Sequence, residues 1–246
     1  MLLIDSIYIA RLRDNFTKPF AAGVKIAKIA LSKISKHSPH LIPGSSPKEI
    51  SKLGRAGKRS VEQAAAAKAQ FDQLISTINL DTSILCYTDG GCLNKLPTRP
   101  CGAGVYIKYP PAISDRNTYL SQGLGRGSNN IGEIAAVGLA TEDMLKRELP
   151  MNAAVFLFSD SKYTLNAVQG KQRIKRNAKL IRTVKHMVSK VNNKITGNVN
   201  FQWTAGHAGI TGNKIADKLA TIGTKNSISN TSISTTNELC SRWDFG

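Results

Sequence analysis

Residues 200–220 read N-F-Q-W-T-A-G-H-A-G-I-T-G-N-K-I-A-D-K-L-A. The stretch opens as a strand, with Phe201 and Trp203 on one face and Gln202 and Thr204 on the other. Gly206, Gly209 and Gly212 then break the extended pattern, each permitting a backbone that other residues adopt only at a cost. From Gly212 the spacing turns helical, with Ile215, Leu219 and Ile222 on one side. The reading predicts strand, glycine loop, helix. His207 then sits on a mobile loop and Asp217 on the rigid helix behind it. Such an imidazole and carboxylate suit metal-assisted hydrolysis. A loop histidine and a solvated aspartate would look the same in isolation, so the pair gains weight only from the rest of the chain.

Upstream, Ile84 to Thr88, Ala103 to Tyr109 and Thr118 to Leu124 read as strands joined by short connections, an antiparallel meander. Residues 132–149 show a helical pattern with Ile134, Val137, Leu139 and Leu145 inward. Ala154 to Phe158 is almost continuously apolar, as a buried central strand should be. Ser161 to Val168 and Ala178 to Val191 read as helices, Val199 to Trp203 as the fifth strand. The fold class expected is α/β, a mixed five-stranded sheet flanked by helices. It occupies residues 80–225. Residues 1–79 form a basic extension: a loosely amphipathic stretch over 1–40, a Ser/Pro/Gly/Lys-rich linker, and a helix opened by a Ser60–Gln63 capping box. Residues 226–246 are rich in Ser, Thr and Asn and are expected to be a disordered tail.

The 246 residues carry a formal net charge of +18. Residues 1–80 hold 13 Lys/Arg against 5 Asp/Glu, and residues 81–226 hold 20 against 9, so the excess is not confined to a tail. That balance favours a polyanionic partner, nucleic acid first. The four cysteines form no C-x-x-C pair, which argues against zinc and for reduced thiols. No apolar run approaches the ~18 residues of a membrane span, so no membrane partner is expected. An intracellular protein of cytoplasm or nucleus is expected. The N-terminus is basic and moderately apolar, but Asp5 and Asp14 weaken a presequence reading; mitochondrial import is the alternative.

Two aspartates close predicted strands, Asp89 in Y-T-D-G-G and Asp160 in F-L-F-S-D-S. Strand ends in open α/β sheets are where ligands commonly bind. Glu133 falls in the first turn of a helix, in S-N-N-I-G-E, and Asp217 is the fourth acid. Carboxylates gathered in one place repel unless cations neutralise them. Hard oxygen ligands suit Mg²⁺ or Mn²⁺, and two such ions about 4 Å apart serve phosphodiester hydrolysis.

Taken in order, T-D-G-G, S-N-N-I-G-E, S-D-S-K-Y and G-H-A-G-I-T-G-N-K-I-A-D resemble the motifs of the type 1 ribonuclease H family over Asp81 to Thr224. The resemblance implies the ribonuclease H-like fold and an endonuclease that cuts the RNA strand of RNA–DNA hybrids with two Mg²⁺ ions. It makes Asp89, Glu133, Asp160 and Asp217 metal ligands, and His207 an aid to proton transfer or product release. It maps 2′-hydroxyl recognition to Asn129 and Asn130, whose amides can both donate and accept. It maps a DNA-phosphate pocket to Arg126, Ser128 and Asn177. Departures are Ile131, where many members have Arg, and Lys214, where many have an acid. The Trp-bearing basic protrusion of some members is replaced by Lys171 to Asn177, K-Q-R-I-K-R-N, and no N-terminal hybrid-binding module is recognisable. The alternatives are a retroelement-derived domain that works with a reverse transcriptase, and an inactive basic nucleic-acid binder. A monomer is expected. The basic extension is expected to grip phosphates, with a helix packed on the sheet or a targeting segment as the competing readings.

Overall fold

Short apolar runs separated by turns pair here into one sheet, and longer amphipathic runs cover it. The computed structural model describes residues 60–229 and 236–243. The elements in order are α1 (Val61–Ser76), β1 (Ser83–Cys92), β2 (Pro100–Lys108), β3 (Thr118–Arg126), α2 (Asn129–Leu145), β4 (Ala154–Ser159), α3 (Lys162–Gln169), α4 (Ala178–Asn192), β5 (Asn200–Trp203), α5 (Thr211–Ile228) and α6 (Thr236–Arg242). The sheet order is β3-β2-β1-β4-β5. The first three strands form the antiparallel meander, and β4 and β5 add in parallel. This is the mixed α/β sheet expected.

Alternation along the central strands separates two cores. Ile84 and Cys86 of β1 with Val155 and Leu157 of β4 face α2 and α4. Leu85, Tyr87 and Phe158 face the other way, against Ala205, Ala208, Ile210 and Ala216. Helix α5 covers that second face, but not with the residues expected. Ile215 and Leu219 are half-buried; the helix docks through Gly212, Asn213, Ala216, Ala220, Gly223, Thr224 and Ser227. The reason is a backbone-to-backbone approach. A Cβ on Gly104 of β2 would lie 2.2 Å from the Ala216 carbonyl oxygen. Bulky residues on that face would hold the helix away from the sheet.

Two element boundaries differ from expectation in ways that bear on the acids. Strand β1 does not end at Asp89 but runs on through Cys92 against β2. Helix α2 starts at Asn129, capped by the Ser128 side chain, so Glu133 lies one turn inside it. At the N-terminal side, the Ser60–Gln63 capping box is formed in both directions and opens α1. Phe71 of α1 meets Phe158 edge-on at 5.3 Å and Tyr87 at 6.3 Å between ring centroids, so this helix lies on the sheet. The readings of residues 1–40 and of the linker before Ser60 lie outside the described residues.

The expectation of a disordered tail over 226–246 does not hold where that stretch is described. Helix α5 continues to Ile228, and α6 follows at Thr236. Leu239, Cys240 and Trp243 enter the main core. The apolar residues are spaced for one helical face, which the surrounding Ser, Thr and Asn obscure in the sequence.

Candidate active site

Asp89 and Asp160 reach one place through register. The last parallel pair between β1 and β4 is Thr88 with Ser159. The next residue on each strand is the aspartate, so both carboxylates emerge where the two strands part. Glu133 arrives from above on α2. Gly90 permits this, because a Cβ there would lie 2.1 Å from the Glu133 backbone nitrogen. The Gly90 N–H donates to Asp89 Oδ1 at 2.7 Å. Ligand atoms of Asp89, Glu133 and Asp160 all lie within 4.8 Å of one another.

Burial and like charge both act against ionising these acids. Glu133 is 3% exposed, and its Oε2 has no hydrogen-bond partner. Its Oε1 accepts a long bond, 3.4 Å, from Asn129 Nδ2. Burial, then the charges of Asp89 and Asp160, push the Glu133 carboxyl well above its ordinary range. Burial, then Asp160 and Asp217, do the same to Asp89. Three oxygen-bearing acids that repel one another, one with a buried lone pair unused, fit a hard divalent cation.

Asp217 stands outside the triad on α5, near enough for its charge to act on Asp89. Burial raises its own carboxyl, against which His207 and Lys218 pull it down. His207 is exposed and holds a left-handed φ of 58°. The loop around it, expected from the sequence to be mobile, is mostly buried. Thr204, Ala205, Gly206, Ala208 and Ile210 are all buried. A Cβ on Gly206 would lie 2.2 Å from Asp160 Oδ2, so the loop rests directly on a carboxylate of the triad.

The candidate substrate residues gather at one corner, apart from Asn177. Arg126 ends β3 with its side chain exposed, Ser128 caps α2, and Asn129 and Asn130 open that helix exposed to solvent. Asn177 starts α4 with φ at 57°, and its amide does not cap that helix. Helix α4 shares the core beneath α2.

One residue at the site escaped the sequence reading. Trp203 is 42% exposed, and its indole N–H donates to the Asp160 carbonyl at 3.1 Å. The Lys162 ammonium lies 4.6 Å from its ring centroid. The available signal was a tryptophan at the tip of a short strand that had to neighbour the strand ending in Asp160.

The chain is similar to ribonuclease H1 of Mus musculus, 29% identical over 59% of this chain and 51% of that one. It is 30% identical to ribonuclease H1 of Homo sapiens over 58% of this chain and 51% of the human protein. It is 30% identical to ribonuclease H of Ruthia magnifica over 56% of this chain and 93% of the bacterial one. It thus spans about half the length of the mammalian relatives it matches. Among solved structures it is similar to an RNase H1 isolated from compost, at 23% identity and a TM-score of 0.46, covering 60% of this chain and 99% of that one. The RNase H family model matches residues 81–225, the segment that carries Asp89, Glu133, Asp160, His207 and Asp217, and the chain belongs to that family.

Proposed function

We propose that this protein is an endoribonuclease that hydrolyses the RNA strand of RNA–DNA hybrids. The observation that carries the reading is the acid triad built around buried Glu133, with one oxygen of that carboxylate unpartnered, in a chain of the RNase H family. Asp89, Glu133 and Asp160, with Asp217 beside them, would hold two Mg²⁺ ions, for which Mn²⁺ can substitute. Bound there, the ions supply charge neutralisation at a phosphate and a lowered barrier to forming hydroxide from water. Hydrolysis joins a water oxygen to phosphorus and breaks the bond from phosphorus to the 3′ oxygen, which leaves with a proton. The products are a 5′-phosphate and a 3′-hydroxyl.

The chain's own groups divide the remaining work. His207, exposed at the rim and next to Asp217 in charge, moves a proton or helps product leave. Asn129 and Asn130 read 2′-hydroxyls with their amides. Arg126, Ser128 and Asn177 hold a phosphate of the DNA strand. The excess of positive charge supports a nucleic-acid substrate. Among the described residues, no helix is long and apolar enough to cross a membrane.

The test is cleavage of end-labelled hybrid by purified protein, with duplex RNA and duplex DNA in parallel. Cleavage of the RNA strand of the hybrid, with Mg²⁺ or Mn²⁺ and none in chelator, is expected. Equal cutting of duplex RNA, or cutting that survives chelation, would overturn the reading.

A further inference from the structure

Helix α1 lies ahead of the segment matched to the family, yet it packs on the second core, which also holds the His207 loop. Ala67, Phe71, Leu74 and Ile75 of α1 pack against the cluster that contains Ala205, Ala208 and Ile210. Phe71 stands on Phe158 and Tyr87. Tyr87 in turn underlies the start of α5, since a Cβ on Gly212 would lie 2.5 Å from its ring. Lys68 comes up beside the loop itself, its Cδ 3.9 Å from where a Cβ on Gly209 would stand. Three residues earlier the loop meets the triad, through Gly206 on Asp160.

The loop therefore meets α1 at Gly209 and a carboxylate of the triad at Gly206, with His207 between the two. That residue holds a left-handed backbone, uncommon outside glycine although histidine tolerates it better than most, and its buried neighbours hold the turn in place. We propose that α1, through Phe71, is a positioning element of the catalytic centre: it sets the height of the 204–210 loop and so the reach of His207. The proposal rests on the hydrolase reading above for its kinetic consequence, but not for its structural one. Phe71 is a positioning residue and touches no reacting atom.

The experiment uses the full chain carrying Phe71→Ala, Phe71→Leu, His207→Ala and the double variant Phe71→Ala/His207→Ala. Val61→Ser, on the exposed side of the same helix, is the control. At a temperature where each is folded, Phe71→Ala should lower kcat on the order of tenfold, because small misplacements of a catalytic group are costly. KM for hybrid should stay near that of the wild type, and Phe71→Leu should recover most of the loss. In the His207→Ala background the same change should cost nothing further, since residues that act through one another are not additive. The ring resonances of His207, identified by their absence in His207→Ala, should shift in Phe71→Ala and return in Phe71→Leu.

An equal loss with and without His207, or unmoved His207 resonances in a folded Phe71 variant, would overturn the proposal. Should Phe71→Ala not fold, Phe71→Leu and Phe71→Leu/His207→Ala are read in the same way, with a smaller loss expected. A wild-type protein that fails to cut hybrid would remove the hydrolase reading, while the His207 resonances would still decide whether α1 positions the loop.

Discussion

At Asp89 the fold holds a carboxylate that it does not stabilise. Its pKa is raised in the folded state, first by burial and then by Asp160 and Asp217. Its contribution to stability is thus fully present below the ordinary carboxylate value of about 4 and is lost as pH rises through the raised folded value. Glu133 adds in the same direction. Metal-free protein should therefore lose stability as pH climbs out of the acid range, and a divalent cation should restore it. Asp89→Asn removes one of the repelling charges while keeping an oxygen for the Gly90 N–H. At neutral pH in chelator it should raise Tm, by about 2–4 °C if the gain is about 1 kcal/mol. It should also abolish hybrid cleavage. Calorimetric scans with and without Mg²⁺ check the first outcome. A folded Asp89→Asn protein that cuts hybrid well would end the metal-ligand assignment. For His207 the direction differs, because its exposed ring lies outside the triad. His207→Ala should slow turnover by roughly 10²–10⁴-fold and leave Mg²⁺ affinity by titration calorimetry where it was. Asp89 and Asp160 were legible from sequence because each follows an apolar run and one register row aligns them. Trp203 was not, because its role depends on which strand lies beside β5.

Among the elements, α5 shows where a pattern of apolar residues misleads. Ile215, Leu219 and Ile222 mark the helix correctly as amphipathic, yet the face that docks is built of Gly, Ala, Ser and Thr with one Asn. Apolar periodicity reports where a helix can bury oil-like surface, whereas close approach is reported by small residues on both partners. The glycines at 102 and 104 of β2 were the complementary signal, half of it on another strand. A test follows from the clash. Gly104→Ala places a Cβ 2.2 Å from the Ala216 carbonyl oxygen and the Ala220 nitrogen, and neither is the end of a flexible side chain. Helix α5 must lift, taking Asp217 with it. The variant should lose about 1–3 kcal/mol or more in denaturant unfolding, and activity along with it. Gly197→Ala, with nothing within 4 Å of the added carbon, is the matched control and should be near neutral.

For the molecule as a whole, the family segment is flanked by helices that fold onto it from both ends. Before it, α1 sits on the second core; after it, α6 enters the first. The capping box made α1 legible, since Ser60 and Gln63 are a local signal that needs no partner. Helix α6 has no such mark, and its burial depends on a cavity formed by residues a hundred positions away. Trp243 is 0% exposed, its ring lying against Gly138 of α2 so closely that a Cβ there would be 2.4 Å from it. Its indole N–H donates to Glu142 Oε2 at 3.0 Å, where Arg242 also binds at 2.9 Å, and Lys146 takes Oε1. These contacts lower the Glu142 carboxyl against a burial that would raise it, so the buried acid is kept charged by its partners. Trp243→Ala leaves a ring-sized void over Gly138 and removes one donor from Glu142. A loss of about 3–5 kcal/mol is expected, with Tm falling on the order of 10 °C. Trp243 meets α2 at Gly138 and Glu142, further along the helix than Glu133, so kcat at saturating hybrid, measured well below the new Tm, should be close to wild type. A Tm that does not move would mean that the C-terminal helix is an ornament on the fold; a kcat that falls with the protein still folded would mean that α2 transmits the loss to Glu133.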